Sequence, residues 1–306
     1  MKIDDGVLKC IVFLGAGGTG PTGEFCAQAT GFFIKYKTHV YLVTARHFAD
    51  TYGSDPFSIR VNTKDGGSGI LSFDRFSDPD DIWWTHPDPS VDIAVALFRW
   101  DLQGGTMDQL AVSEAVWLDD SNWTVNDVGT GDTCYAIGLF QLMQGKRRNL
   151  PIVHTGSIAA LPSDELIPIR DRNDKTAFVS GYLVEMTNLS GLSGSPVFVR
   201  SSIHTASNRI EMLDGKPQIT SNVAYISAPN IDVSLLGVWV GSWEATAANV
   251  VGANSGHSVR VPVGLGTVIP AQRIFEILQD EGLREHREGL GGAWVPGPDI
   301  ENVDER

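Results

Sequence analysis

The chain has 306 residues, 42% of them hydrophobic, with 33 glycines, 15 prolines and a formal net charge of −14. That length can bury one large or two modest cores, and so acidic a chain is unsuited to a nucleic-acid groove; its one basic cluster, Lys146-Arg147-Arg148, reads as a solvated loop. Cys10, Cys26 and Cys134 are odd in number and widely spaced, which argues against a disulfide framework and a metal-ligand pattern.

The acidic start, Met1 to Gly6, leads into an apolar run only from Cys10 to Leu14. Neither a signal peptide nor a membrane span is read there, so a cytoplasmic protein with reduced thiols is expected. Leu8 to Leu14 is read as a first strand, followed by Gly15-Ala16-Gly17-Gly18-Thr19-Gly20. This run matches G-x-G-x-x-G, the dinucleotide fingerprint, which requires a helix opening at the third glycine. Pro21-Thr22-Gly23 and a strand-like Ala29 to Ile34 follow instead, so a long hairpin loop is favoured over a nucleotide site. Val40 to Thr44 is an apolar strand ending in Thr44-Ala45-Arg46-His47, which puts a histidine just past the strand end. Phe57 to Val61 and Gly69 to Phe73 read as a hairpin, and Asp78 to Asp81 and His86 to Ser90 as turns. Val91 to Phe98 is a second apolar run whose first polar group is Asp92. An ionised carboxylate there needs a buried partner, which a histidine N–H would supply; Asp80, Asp81 and Asp88 are simpler turn-formers.

Trp100 to Asp127 connects two halves, with a short strand expected at Ala115 to Leu118. Gly131 to Gly138 and Ile152 to Ala159 are read as strands, and Phe178 to Thr187 leads up to Asn188-Leu189-Ser190-Gly191-Leu192-Ser193-Gly194-Ser195-Pro196-Val197-Phe198. Ser201 to Ser221 is a polar insertion without a motif, and Val223 to Ile226 a short strand. Leu235 to Trp243 and Val261 to Ile269 are further strands, and Ala271 to Asp280 has helical spacing through Ile274, Ile277 and Leu278. From about Glu285 the chain is acidic and rich in glycine and proline, as in a mobile tail. Few long periodic helices and many short apolar runs make an all-β protein the expectation.

The glycine-bracketed serine carries the chemistry. A serine hydroxyl is a weak nucleophile unless a base stands beside it and donors await the oxyanion. Gly191 lets the Gly191 and Ser193 N–H groups point to one place, and Gly194 removes a side chain that would crowd an incoming carbonyl. Among the histidines, His39, His86, His154, His204, His257 and His286 read as surface or turn residues; His47 alone ends an apolar strand behind Thr-Ala. His47, Asp92 and Ser193, separated by 45 and 101 residues, stand in the order base, orienting acid, nucleophile.

Together T-A-R-H, D-I-A-V-A-L and G-L-S-G-S-P resemble the T-A-x-H, D-[IL]-A and G-x-S-G-[GS]-P boxes of the chymotrypsin/trypsin-like serine protease family. The likeness is nearest the glutamyl-endopeptidase-like and HtrA-type bacterial branches. The resemblance implies two six-stranded antiparallel β-barrels, residues 1–110 with His47 and Asp92 and 111–270 with Ser193, then a closing helix at 271–284 and a flexible acidic tail at 285–306. It implies a serine endopeptidase acting on protein or peptide substrates, with His47, Asp92 and Ser193 catalytic, Gly191 and Ser193 as the oxyanion hole, and no metal or cofactor. Substrate-binding positions carried over are Thr187, Trp239 and Gly241, with Gly264-Leu265-Gly266 as a further wall. Trp239 stands where the glutamyl-specific branch has a histidine, Thr187 where trypsin-like specificity uses an acid, and Leu192 where digestive relatives carry an aspartate that pairs with a freshly cut N-terminus. With no charge in these walls, cleavage after small or medium apolar residues is expected. The alternative is a weakly active or inactive peptide-binding module on the same fold.

Overall fold

A computed structural model describes residues 3, 5–16, 25–52, 57–72, 83–99, 105–118, 128–162, 165–170, 176–187, 190–200, 209–213, 216–220, 233–246 and 260–289. A short helix α1 (Asp5–Leu8) precedes β1 (Ile11–Ala16), β2 (Cys26–Tyr36) and β3 (His39–Thr44); α2 (Arg46–Tyr52) then leads to β4 (Ser58–Asn62), β5 (Ser68–Ser72), β6 (Trp84–Thr85), β7 (Ala94–Phe98) and β8 (Val112–Ser113). These strands form one eight-stranded sheet in the order β5-β4-β1-β2-β3-β7-β6, with β8 parallel on β2.

The apolar runs are continuous rather than alternating because both faces of this sheet are covered. Val12, Leu14, Phe33, Val40 and Leu42 enter one core with Phe48 and Phe57. The intervening Ile11, Phe13, Phe32, Ile34, Tyr41 and Val43 enter another, shared with residues of the second half such as Ile137, Phe198 and Val238. The β2–β3 hairpin turns on Lys37, whose φ of 54° is the sole positive value at a non-glycine among the described residues.

The second half runs β9 (Thr133–Gly138), β10 (Ile152–Ala160), β11 (Ile167–Arg170), β12 (Thr176–Val179), β13 (Tyr182–Glu185), β14 (Pro196–Val199), β15 (Arg209–Leu213), β16 (Lys216–Thr220), β17 (Ser234–Thr246) and β18 (Arg260–Pro270). Six of them close a barrel, β10-β13-β18-β17-β14-β9, and β11-β12 and β15-β16 are separate hairpins. The barrel is filled by Cys134, Ala136, Ile158, Val184, Val197, Leu236, Trp239 and Val268. Two helices follow, α3 (Ala271–Leu278) and α4 (Glu281–Gly289). Ile274, Ile277, Leu278 and Leu283 join the core that also holds Tyr41 and Val43, so the chain's late helices lie on the first half's sheet. Arg287 is buried there, its Nη1 donating to Tyr41 Oη (3.2 Å) and Leu278 O (3.1 Å) with its guanidinium over the Tyr36 ring.

Several expectations are corrected. The protein is mostly β with one closed six-stranded barrel and C-terminal helices; the first half is an open path of strands among the described residues, ended by β5 and the two-residue β6. Leu8 belongs to α1, and the strand expected at Ala115 to Leu118 is replaced by a 3-10 turn, Glu114–Val116, which follows β8 and whose Ala115 N–H donates to Ser113 Oγ. The segment read as a tail from Glu285 begins inside α4, which Asp280 opens by accepting from Gly282 N and Leu283 N. The polar insertion contains the β15-β16 hairpin. Around the GAGGTG run, β1 pairs antiparallel with both β2 and β4, not in the parallel β-α-β unit a dinucleotide site needs. Residues 17–24, 78–81, 223–226 and 290–306 lie outside the described residues. The three cysteines are free, and no helix among the described residues is long and apolar enough to cross a membrane.

Candidate active site

β3 ends at Thr44 and the chain turns at once into α2, whose first turn carries His47. β7 pairs antiparallel with β3, Thr44 opposite Ala94, so Asp92 two residues earlier comes level with the start of α2. Asp92 Oδ2 lies 2.7 Å from His47 Nδ1, and Oδ1 accepts from the His47 backbone N–H at 2.8 Å. With both oxygens held by one residue, the carboxylate fixes the ring as well as the backbone. A carboxylate accepts, so Nδ1 is the donor of this bond and Nε2 is left facing away from Asp92. The Asp92 side chain is 13% exposed and that of His47 31%, a sheltered acid behind a reachable base.

The loop before Asp92 is held from two sides. His86 Nε2 meets Glu276 Oε2 of α3 at 2.8 Å, and His86 Nδ1 accepts from Asp88 N. Asp88 accepts from Ser90 N, and that hydrogen bond holds its carboxyl below the usual range. Asp88 is therefore a turn-former, as its sequence context indicated.

Ser193 stands in a turn closed by Ser195 N donating to Leu192 O at 2.8 Å. Gly194 occupies the third position with φ +85°, the left-handed value a type II turn requires there. A Cβ on Gly194 would collide with Thr30 O and Thr44 Oγ1 and come within 3.1 Å of Ala45 N. The serine turn is thus pressed onto the strand end just ahead of His47. Gly191 has φ +104°, and a Cβ there would meet Leu139 Cγ at 2.7 Å. Neither the Gly191 nor the Ser193 N–H has an acceptor among the described residues. Ser190 is exposed, whereas Ser195 is wholly buried with its Oγ against Gly138, so Ser195 is out of reach of a substrate.

Thr30, in the middle of β2, joins these parts. Its N–H donates to Ser193 O (3.0 Å), its hydroxyl donates to Gly191 O (2.8 Å) and accepts from Leu139 N (2.9 Å), and its carbonyl accepts from Thr44 Oγ1 (2.8 Å). In the sequence Thr30 reads only as part of a strand. The available signal was a hydroxyl in an otherwise apolar run, which when buried needs partners.

Thr187 is exposed, Gly241 half-buried and Trp239 1% exposed. Trp239 pairs with Val268, and Gly241 and Ser242 with Thr267 and Gly266, so two of the three anticipated wall segments are neighbours across β17 and β18. Leu192 is buried among apolar barrel residues, with no carboxylate for a new N-terminus at that position. Of the other histidines, His39 and His154 are drawn below their ordinary pKa by burial, and His286 rests by Trp84. His204 and His257 lie outside the described residues. The basic trio lies on an exposed loop, where Arg148 pairs with Asp108 and Arg147 donates to Asp65 O.

No family model matches the sequence, and no curated protein does. Among solved structures the chain is similar to Deg5, at 15% identity and TM-score 0.44 over 91% of this chain and 92% of that one. It is also similar to the active form of the Rv3671c protease from M. tuberculosis, at 14% identity and TM-score 0.45 over 90% of this chain and 82% of that one. The inactive form of Rv3671c gives 15% identity and TM-score 0.42 over 90% of each chain. Likenesses this distant say nothing about activity, which must be argued from the side chains themselves.

Proposed function

We propose that the protein is a serine endopeptidase of the trypsin-like kind. The observation that carries this is the His47–Asp92 pair at 2.7 Å on the strand end against which the Ser193 turn is pressed through Gly194. In this reading His47 Nε2 takes the Ser193 Oγ proton as the oxygen adds to the scissile carbonyl. The resulting oxyanion is received by the Gly191 and Ser193 N–H groups, which have no other acceptor among the described residues. His47 returns the proton to the departing amine, and water then repeats the sequence on the acyl-enzyme. Asp92 fixes the tautomer and stabilises the imidazolium. Residues 1–110 supply base and acid, 111–270 supply nucleophile and oxyanion donors, and Thr187, Trp239 and Gly241 contact the substrate. The three free thiols fit a reducing compartment, the cytoplasm.

The test is labelling of the folded protein by a small fluorophosphonate, read by intact mass, alongside hydrolysis of a peptide library. Labelling and cleavage by the wild type, both lost in Ser193→Ala, are expected. Cleavage that persists in pure Ser193→Ala protein, or a folded wild type inert to both, refutes the assignment.

A further inference from the structure

Trp239 is a large buried side chain whose backbone is bonded to the Ser193 turn. Its N–H donates to Ser195 O and its carbonyl accepts from Gly194 N, both at 2.8 Å, so its backbone is fixed one strand spacing from the turn. The indole runs inward among Leu192, Val184, Met186 and Val268. Its six-membered ring lies so close to the Cα of Gly266 on β18 that any side chain at 266 would overlap it. Gly241 and Gly264 differ: a Cβ at either would have nothing within 4 Å. Space is open at Gly241 and Gly264, whereas at Gly266 it is occupied by the protein's own indole.

We infer that Trp239 plugs the pocket for the residue preceding the scissile bond and restricts that residue to glycine or alanine. This rests on Ser193 being the nucleophile. It narrows the expectation drawn from the sequence, since a medium apolar side chain would have to displace the ring. A packed barrel interior has no spare volume to receive it, and Gly266, already in contact, offers none. Gly266 and Trp239 thus act as a pair, the one bare so that the other fits.

The experiment uses diphenyl aminoalkylphosphonates whose side chain imitates glycine, alanine or phenylalanine at this position. Ser193 Oγ bonds to phosphorus, the P–O bond to one phenoxy group breaks, and phenol leaves with the proton relayed by His47. Rates are followed by intact mass on the full-length protein. The glycine and alanine analogues should label the wild type, with the phenylalanine analogue slower by about 100-fold. Trp239→Ala should bring the phenylalanine analogue level with the others. Should that variant fail to fold, Trp239→Leu keeps an apolar filling of lesser depth and should speed the phenylalanine analogue at least about tenfold. Equal rates for glycine and phenylalanine analogues on the wild type, or no change in a folded Trp239 variant, overturn the plug and leave the nucleophile standing. Failure of every analogue and of diisopropyl fluorophosphate to label folded wild type overturns the Ser193 reading, and the plug's role with it.

Discussion

Replacing Thr30 by valine keeps the shape of the side chain and removes one oxygen. That oxygen serves two groups from the second half, donating to Gly191 O at 2.8 Å and accepting from Leu139 N at 2.9 Å. The Leu139 N–H is buried and would carry close to the full cost of an unsatisfied donor, about 1–3 kcal/mol; the Gly191 carbonyl is only partly buried and costs less. A destabilisation of about 2–4 kcal/mol follows, equivalent to a drop of about 1 M in the urea midpoint. The backbone bonds of Thr30 to Ser193 and Thr44 survive, so the turn stays docked while the Gly191 peptide loses its anchor. If its N–H is an oxyanion donor, fluorophosphonate reactivity should fall by up to about 10²–10³-fold, the cost of losing such a donor. Thr30→Ser, which keeps the oxygen, should recover most of both. An unchanged urea midpoint together with an unchanged labelling rate in Thr30→Val would refute this account of the threonine.

Asp92→Asn should fold and lose about four orders of magnitude in turnover, because an amide can present its N–H to Nδ1 and fix the wrong tautomer; turnover within tenfold of wild type would move the acid elsewhere. In the native protein only Cys26 should react with a maleimide: Cys10 is buried with its thiol pushed up, and burial raises that of Cys134 to about 12. Intact mass should show a single adduct before denaturation, and an adduct on Cys10 or Cys134 would contradict the packing. Burial lowers the pKa of both His39 and His154 in the folded state. The unfolded chain therefore binds more protons once pH falls below about 6.5, so the contribution of these sites to stability is full above that pH and declines below it. A melting temperature that falls less on acidification in the His39→Gln, His154→Gln double variant than in the wild type is the expected result.

The pairing of His47 with Asp92, and the Ser193 turn as a feature of note, were legible because each is a polar group in a place where an apolar strand begins or ends, and such placements need a reason that nearby residues supply. Thr30 was not legible, since its hydroxyl partners lie 161 and 109 residues away and exist only once the halves have docked. The strands on either side of the site were readable from continuous apolar runs, which two covered faces demand. Closure of the sheet into a barrel is a matter of which edges meet, and local pattern does not report it. The sequence reads as one closing helix ending at 284, and its continuation as a separate α4 was not legible: a single leucine, Leu283, and a buried arginine, Arg287, carry the inner face, and a cation four residues from a leucine does not look like a core stripe.

That arginine also sets an order of assembly. The face of the first sheet carrying Tyr41 and Val43 is covered by Ile274, Ile277, Leu278 and Leu283, and Arg287 fastens the cover to Tyr41. A chain emerging from the ribosome has the strand leading to His47 early, but the core behind that strand is complete only once residues 271–289 have been made. Domains generally begin to fold from the N-terminus during synthesis, with exposed apolar surface as the hazard. Here the strand that leads to His47 gains its full backing only when α3 and α4 arrive, so a half-made chain carries that strand without the Arg287 fastening.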